Sequence, residues 1–558
     1  MRNILWACMA LFVGVQSLNA QFEVGQWRDH LPYDHCIDIA DGGDVIYVAT
    51  ESALFIYNRL DNSVERVSKA NKLSDSGVSA INYNAELDVL VVGFTNGNVD
   101  LLYGGEPLNL PDIKRSSILA DKTINDIYFR GNDAMLSCGF GIVVLDLTKA
   151  EVADTYMLGP GGEALNVNAL RDDGSEFWAA TDDGMYSADV DEVFLANFQN
   201  WYKRTDVPAP DSEYDKIEIN STYYLIQRRD TGQTHYAYFK TLVGTEWMDL
   251  PDYQGENKRD LYMDDEVVMV TTFGVLKIYD MDFQDLSVWG GMAGEEMKGN
   301  GLLHTPDGGI WVANEEGGLI GWFQGKGFNL QPDGPLNLGL RRIEAWNDNL
   351  WVASGGADGA WVSLWNNDGV YGMVDGSWIN LPLLDGQGVA DYMEVAINPQ
   401  DPSEVFLGSW VDGLIHLKDG DLFERYNETN STLNVVNFGS LDRIGIAGLD
   451  FDTQGNLWIT NSYSEEPLHL RTPDGNFKAF NFTPEVPEGS LITEVLATQQ
   501  GYVWVLLSNG DGLLVLDYKD TLTDSSDDES VLLTTEEGEG GLPVEWVNCM
   551  EEDLDGEI

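Results

Sequence analysis

Short apolar runs separated by turns of Asp, Asn and Gly recur along the whole chain. In the clearest copy, the turn Asp307-Gly308-Gly309 leads directly into the run Ile310-Trp311-Val312-Ala313. A small or glycine-rich stretch and a second apolar run then follow. The same phrase returns around Trp178, Trp351, Trp458 and Trp504. With weaker copies around Tyr47, Leu90, Leu136, Tyr224, Val268 and Phe406, successive copies are mostly 40 to 46 residues apart, and roughly 50 apart after Trp351. A period of that length, built only from short strands and turns, is typical of β-propeller blades.

The repeats predict an all-β fold of two seven-bladed β-propellers in series. A single blade cannot bury both of its faces, so blades stack around an axis to complete their core. Seven repeat units end near residue 325, and a second series begins at Arg342. We therefore predict a signal peptide at residues 1–20, a first propeller at 21–325 and a second at 326–558. The final stretch from Asp553 to Ile558 resembles the opening of another repeat, so we expect the second propeller to be truncated at the C-terminus of this chain.

The N-terminus has the order of a secretory signal. A basic start at Arg2 precedes an apolar stretch from Ile4 to Val15, and Leu18-Asn19-Ala20 forms a small-residue cleavage site. We expect an exported protein with no transmembrane segment. Three cysteines remain after cleavage, too widely spaced for a disulfide framework or a metal site, and we expect all three to be buried: Cys36, Cys138 and Cys549.

The charge balance excludes one class of partner. The chain has 31 Lys and Arg residues against 93 Asp and Glu residues, a formal net charge of -62. Such a surface repels nucleic acid, so DNA and RNA are not expected partners. The acidity itself favours solubility, and adaptation to a saline habitat is a further explanation.

No motif supports catalysis or a cofactor. The six histidines lack metal-binding spacings, and no G-x-S-x-G sequence is present. Because acids are so abundant, any chosen carboxylate pair carries no evidence for glycoside cleavage. The Asp-Gly sequences are interpreted as hairpin turns and not as calcium loops. We predict a protein that is not an enzyme and that has no cofactor and no metal.

The scarce basic residues provide the candidate ligand contacts. Two adjacent pairs, Arg228-Arg229 and Arg341-Arg342, could hold an anionic glycan through charge-assisted hydrogen bonds. The alternative is that each pair forms salt bridges with neighbouring acids. Tryptophans in the middle of the repeat, such as Trp311, Trp351 and Trp458, are predicted to lie in the core.

Two stretches of the sequence resemble known propeller proteins. The segment from Gly541-Leu542-Pro543 through Trp546-Val547 to Asp553 resembles the propeller repeat of two-component regulators. The opening Trp27-Arg28-Asp29-His30-Leu31-Pro32-Tyr33, with the strand that begins at Val45, resembles the PorZ family of the Bacteroidetes type IX secretion system.

The PorZ resemblance implies a cell-surface component of the attachment complex, peripherally associated with the outer membrane. Members of that family bind anionic lipopolysaccharide and present it to the sortase that attaches it to secreted cargo. The resemblance also implies outer-membrane anchor proteins as partners and a C-terminal sorting domain. The alternative is the periplasmic ligand-sensing region of a hybrid two-component regulator, which uses the same repeat. The Trp27 to Tyr33 sequence favours the first hypothesis.

Overall fold

The structure is a computed structural model. It describes residues 27–558 except 233, 251–252, 254–257, 273, 291–295, 324, 348, 368, 382–388, 439–440, 520, 523–525 and 545. The predicted signal peptide at residues 1–20 lies outside the described residues.

The predicted all-β propeller fold is confirmed. Among the described residues, eleven sheets have four strands and one has two, and each four-stranded sheet consists of strands consecutive in sequence. Every pairing for which the register is given is antiparallel, for example Ala134 opposite Leu145. Helical structure is confined to α1 (Asp112–Arg115) and one 3-10 turn (Phe198–Asn200) in the described part.

The first seven sheets take four strands each, in order, from β1 (Cys36–Asp41), β2 (Val45–Thr50), β3 (Leu54–Asn58), β4 (Val64–Val67), β5 (Val78–Asn84), β6 (Val89–Phe94), β7 (Val99–Tyr103), β8 (Glu106–Leu110), β9 (Ile124–Arg130), β10 (Asp133–Cys138), β11 (Gly141–Asp146), β12 (Glu151–Tyr156), β13 (Val167–Asp172), β14 (Glu176–Thr181), β15 (Gly184–Asp189), β16 (Tyr202–Lys203), β17 (Glu213–Ile219), β18 (Tyr223–Arg229), β19 (His235–Thr241), β20 (Met248–Asp249), β21 (Lys258–Met263), β22 (Val268–Thr272), β23 (Val275–Tyr279), β24 (Asp285–Gly290), β25 (Gly299–His304), β26 (Ile310–Asn314), β27 (Leu319–Phe323) and β28 (Lys326–Leu330).

The later sheets take their strands from β29 (Arg342–Trp346), β30 (Asn349–Ala353), β31 (Val370–Val374), β32 (Ser377–Leu381), β33 (Tyr392–Ile397), β34 (Glu404–Ser409), β35 (Gly413–Lys418), β36 (Asp421–Tyr426), the pair β37 (Val436–Phe438) and β38 (Leu441–Arg443), and then β39 (Leu449–Phe451), β40 (Leu457–Thr460), β41 (Leu468–Arg471), β42 (Phe477–Phe480), β43 (Ile492–Ala497), β44 (Tyr502–Leu507), β45 (Gly512–Asp517) and β46 (Glu529–Leu533).

The chain divides into two compact units. Unit 1 contains the described parts of residues 1–30, 37–313 and 322–326, and unit 2 contains those of 31–36, 314–321 and 327–558. In unit 1 the ring of blades closes, because residues of the seventh sheet contact the first. The Arg59 guanidinium lies 3.0 Å from the Asp307 carboxylate, and the rings of Tyr57 and Trp311 are 5.8 Å apart.

In two copies of the repeat, the acidic residue of the turn accepts a hydrogen bond from the tryptophan of the following strand. The Asp452 carboxylate accepts hydrogen bonds from the Asn456 backbone N–H at 2.9 Å and from the Trp458 indole N–H at 3.2 Å. In unit 1 Asp173 makes the same contact with the Trp178 indole at 3.2 Å. In these two copies of the repeat, the turn acid therefore satisfies a buried donor that would otherwise destabilise the core.

The repeat tryptophans form the core between blades, as predicted. Trp311 and Trp458 are 0% exposed, and Trp351 is 2% exposed. Each buried tryptophan removes about 150–250 Å² from water, which stabilises the fold by roughly 4–6 kcal/mol at the usual area coefficient. Large side chains at one position per blade thus hold the stack together.

The cysteine prediction is correct at two positions and wrong at the third. Cys36 and Cys138 are buried free thiols, whereas Cys549 is exposed. Cys549 follows the last strand, β46, in a segment without strand structure. Because that segment is not packed between two sheets at this position, its side chain stays in contact with solvent.

Candidate ligand-binding site

Arg228 and Arg229 lie at the end of β18 in unit 1 and have different surroundings. The Arg228 guanidinium lies 4.1 Å from the Tyr236 ring centroid and donates a hydrogen bond to the Tyr238 hydroxyl at 3.1 Å. Arg229 forms an ion pair with Glu213 and lies 3.6 Å from the Asp215 carboxylate. Burial raises the pKa of Asp215 to about 6. The positive charge of Arg229 is therefore neutralised by neighbouring carboxylates, as the salt-bridge alternative expects.

Arg342 points into the central channel of unit 2. Its guanidinium bridges two inner strands, with Nε 3.0 Å from Glu394 and Nη2 3.2 Å from Glu494. The surrounding cavity has a volume of about 380 Å³ and is lined by β29, β33, β39 and β43, which are the innermost strands of four successive blades.

The unit 2 channel is acidic. Glu344 accepts a hydrogen bond from the Ile397 N–H at 2.9 Å, and Asp450 accepts one from the Ala497 N–H at 2.7 Å. Burial raises the pKa of Glu344 to about 8 and that of Asp450 to about 7. With one arginine facing several carboxyl groups, this channel becomes negative as the pH rises and therefore repels anions.

The channel of unit 1 contains an internally paired network. Arg171 on β13 contacts Asp126 on β9 at 2.7 Å and Glu218 on β17 at 2.9 Å. Lys216 lies 2.9 Å from Asp260. Cations and carboxylates of neighbouring blades thus neutralise one another, so these groups hold the ring together and offer little charge to a ligand.

Arg341, the neighbour of Arg342, belongs to a different environment in unit 2. Its guanidinium lies 5.6 Å from the Trp361 ring centroid, and Trp361 lies 5.4 Å from Trp410. Arg443 continues the series, 5.0 Å from the Trp410 ring and 5.6 Å from the Tyr463 ring. We refer to Arg341, Trp361, Trp410, Arg443 and Tyr463 as the aromatic–arginine ladder.

The ladder crosses three blades at one end of unit 2. Trp361, Trp410 and Tyr463 each lie in the connection between the second and third strands of a sheet. Arg341 directly precedes an inner strand, and Arg443 lies six residues before the next inner strand, β39. In antiparallel blades these connections are found at the same end of the sheets.

The loop that carries Trp361 has an unusual backbone. Trp361 and Trp365 both have positive φ angles, 59° and 57°, which bulky residues rarely adopt. The buried Asp391 carboxylate holds this loop by accepting hydrogen bonds from the N–H groups of Trp365 and Asn366, each at 3.0 Å. The Trp410 indole N–H donates to the Trp361 carbonyl at 2.9 Å. Even so, Trp365 remains 53% exposed.

Sequence reasoning identified one member of the ladder, Arg341, and missed the others. The repeat directed attention to tryptophans in strands, whereas Trp361 and Trp365 lie in a glycine-rich loop outside the repeated phrase. A cluster of large apolar residues within such a loop is itself a signal, because loops of this composition are normally polar.

Other chemistry is not evident in the described residues. No group of three or more His, Cys, Asp or Glu side chains is placed to hold a metal ion in the part of the chain that the structure describes. Within that part, no helix has the length and apolar character needed to cross a membrane.

Together, these features define a tandem-unit β-propeller protein whose distinctive surface is a series of arginine and aromatic side chains. Residues 46–202 match the family model described as "TSS9, PorZ, N-terminal beta-propeller domain". No curated protein matches the chain.

Two solved structures agree with the fold, those of PorZ and of a GH74 enzyme. PorZ of Porphyromonas gingivalis, described as an essential bacterial surface component of the type-IX secretion system, has 21% identity and a TM-score of 0.76, with 91% of this chain and 68% of that chain covered. The predicted resemblance to PorZ is therefore confirmed. An ancestral GH74 enzyme has 11% identity and a TM-score of 0.59, covering 89% of this chain and 76% of its own. The extracellular domain of a putative hybrid two component system from B. thetaiotaomicron has 12% identity and a TM-score of 0.42, covering 96% and 75%.

Proposed function

We propose that this protein is a non-enzymatic component of the type IX secretion system attachment complex at the cell surface. In this role it binds anionic lipopolysaccharide and delivers it to the sortase that attaches it to secreted cargo. The observation that carries the proposal is the match of residues 46–202 to the PorZ N-terminal propeller. The PorZ-like fold over 91% of the chain supports it.

The charge distribution supports selective binding of an anionic ligand. A net charge of -62 disfavours non-specific contact with anions. Arg341 can offer its charge to a ligand, because among the described residues no carboxylate forms an ion pair with its guanidinium. A charge-assisted hydrogen bond to a ligand is therefore available to it without first breaking an internal pair.

The state of the channel carboxyl groups supports a binding role over hydrolysis. Glu394 and Glu494 are held by Arg342, while Glu344 and Asp450 accept backbone hydrogen bonds. A glycosidase needs an acid and a base or nucleophile free to face the scissile bond. The likeness to the GH74 enzyme extends to the fold alone.

The proposal is tested by titrating the purified protein with anionic lipopolysaccharide from the source bacterium and with a lipopolysaccharide that has a neutral polysaccharide chain. We expect saturable binding that is selective for the anionic form and that weakens as salt rises, because salt screens exposed charges. The absence of binding at low salt would overturn the carrier role. Co-purification of the sortase and of outer-membrane anchor proteins from cells tests the assignment to the attachment complex.

A further inference from the structure

The ladder has an apolar base and charged ends. Beneath it lie Met393, Ala447 and Leu491, which are 1%, 5% and 0% exposed. Trp410 is fully buried on this base, whereas Trp361 and Tyr463 are only partly covered. Two partly exposed rings, Trp361 and Tyr463, therefore flank the buried Trp410 ring near the starts of the inner strands.

This combination suits one ligand chemistry. Sugar rings present C–H groups on their faces, which pack on tryptophan and tyrosine rings, while guanidinium groups bind carboxylate or phosphate in a fixed geometry. Arg341 is exposed, and Arg443 is 7% exposed, with burial lowering the pKa of its guanidinium. A neutral saccharide would use only the rings, whereas an acidic saccharide would use the rings and the exposed Arg341 together.

The exposed part of the same loop extends this surface. Val362, Leu364 and Trp365 are 57%, 58% and 53% exposed. Large apolar side chains that are exposed together in one short loop often indicate a binding surface. The positive φ of Trp365, maintained by the buried Asp391, adds a conformational cost that a ligand contact would explain.

The other candidate surfaces are less open to an anion. A second cation–aromatic cluster lies in unit 1, but its Trp178 is 1% exposed, its Lys240 is 7% exposed and its Arg204 is paired with Glu176 and Asp206. The unit 2 channel is lined by carboxyl groups around Arg342, and Arg229 is paired with Glu213. Arg228 stacks on Tyr236, but no series of rings continues across neighbouring blades from it among the described residues.

We propose that the aromatic–arginine ladder, together with Trp365, is the site at which this protein holds an acidic saccharide chain. This inference rests on the proposed function, since it names the part of the molecule that would contact the anionic polysaccharide. Trp361, Tyr463 and Trp365 stack on the saccharide, the buried Trp410 supports the first two from the core, and Arg341 selects the anionic group.

One carboxylate near the ladder, that of Asp358, should weaken the binding of an anionic saccharide. Asp358 is exposed in the same loop, and its carboxylate accepts hydrogen bonds from the N–H groups of Ala360 and Val362 at 2.8 and 2.9 Å. It shapes the loop but also repels an anion. Asp358→Asn keeps one acceptor oxygen while it removes the charge, so we expect it to tighten binding by about twofold to fivefold at low salt.

The test uses the full chain and the polysaccharide released from the anionic lipopolysaccharide, alongside the intact lipid form, with affinities measured by calorimetry. Arg341→Ala and Trp365→Ala are each expected to weaken binding at least tenfold, a typical loss for a charge-assisted hydrogen bond or a stacked ring. Lys418→Ala is the matched control, because Lys418 ends β35 at the opposite end of a unit 2 blade. It should change the affinity by less than about twofold.

The outcomes separate this inference from the proposed function. If the wild-type protein binds and both variants bind equally well, the ladder is not the site, although the carrier role stands. If the wild-type protein binds neither form, the carrier role and the ladder assignment both fail. If only the lipid form binds, the acidic saccharide is the wrong ligand class. Unchanged circular dichroism and thermal unfolding of Arg341→Ala and Trp365→Ala would show that their effects are not due to misfolding, and Trp365→Phe should restore most of the binding.

Discussion

Removal of Arg171 should destabilise unit 1 strongly. This residue of β13 joins the inner strands of three blades, with Nη1 2.7 Å from Asp126 and two further contacts to Glu218, from Nε at 3.0 Å and from Nη2 at 2.9 Å. The three side chains are only 19%, 18% and 16% exposed. Arg171→Met keeps much of the apolar stem but leaves two carboxylates without their cation.

The magnitude follows from this burial. Breaking a buried ion pair on one side costs about 3–5 kcal/mol, because the remaining charge stays desolvated. An exposed pair costs at most about 1 kcal/mol. Arg130 provides the matched control, since its ion pair with Asp172 is long, at 3.4 Å, and its side chain is 44% exposed.

The loss should depend on pH. Burial raises the pKa of Glu218 from its ordinary value of 4.5, and Arg171 opposes that rise. Without Arg171 the folded-state pKa increases further above the unfolded value. The folded form then binds more protons than the unfolded form, so stability falls as the pH rises above about 4.5. Arg171→Met should accordingly differ least from the wild type near pH 4.

The assay is urea unfolding at pH 4 and pH 8, with hydrogen exchange of β9, β13 and β17 to locate the change. The triple variant Arg171→Met, Asp126→Asn, Glu218→Gln should recover most of the lost stability, because it removes the stranded charges together with the cation. An effect of Arg171→Met no larger than that of Arg130→Met, or one independent of pH, would refute the reasoning.

Three further predictions concern the turns and channels. Burial raises the pKa of Asp38 from 3.8 to about 7, so the free energy of unfolding should fall as the pH rises between about 4 and 7. In unfolding at pH 8, Asp38→Asn should remove up to about 4 kcal/mol of that loss. If the stability of the variant and of the wild type depended on pH in the same way, the prediction would be wrong. Asp452→Ala should lower the free energy of unfolding in urea by about 1–3 kcal/mol, because it leaves the buried indole N–H of Trp458 unpaired. Asp474→Ala changes an exposed turn and should have a much smaller effect. Equal effects would show that Asp452 does not anchor the core. Gly355→Ala would place a Cβ 2.0 Å from a backbone nitrogen of β33, whereas a Cβ added at Gly359 would have no atom within 4 Å. Thermal unfolding should therefore show a loss of about 1–3 kcal/mol for Gly355→Ala but not for Gly359→Ala. Equal stability of these two variants would argue against the close approach at Gly355.

The arginine pairs show how much a charge pattern in the sequence can predict about a binding site. The sequence identified Arg228-Arg229 and Arg341-Arg342 as unusual on an acidic chain, and their role in ligand binding stays a prediction. The structure separates the members of each pair. Arg228 and Arg229 are successive residues of β18 and point to opposite sides, whereas Arg341 directly precedes β29 and Arg342 begins it. Arg342 faces carboxylates in a channel, and Arg341 faces a tryptophan. No local pattern in the sequence distinguishes these two outcomes.

The sequence by itself determined the blades. Turn acids, four-residue apolar runs and a period of roughly 40 to 50 residues specify antiparallel sheets with tryptophan in their core, because these signals act over a few neighbouring residues. The residues that follow Trp27 also indicated the resemblance to PorZ. These features depend on local backbone preference and on burial of regularly spaced apolar side chains.

Only the tertiary structure decided which distant side chains meet. The ladder assembles residues from positions 341 to 463, and Arg171 meets partners about 45 residues away on either side. Stacking of the blades brings equivalent ends of successive sheets together, and burial then sets whether a charge is paired, stacked on a ring or exposed. Such contacts arise from packing between repeats, and the order of residues within one repeat does not encode them.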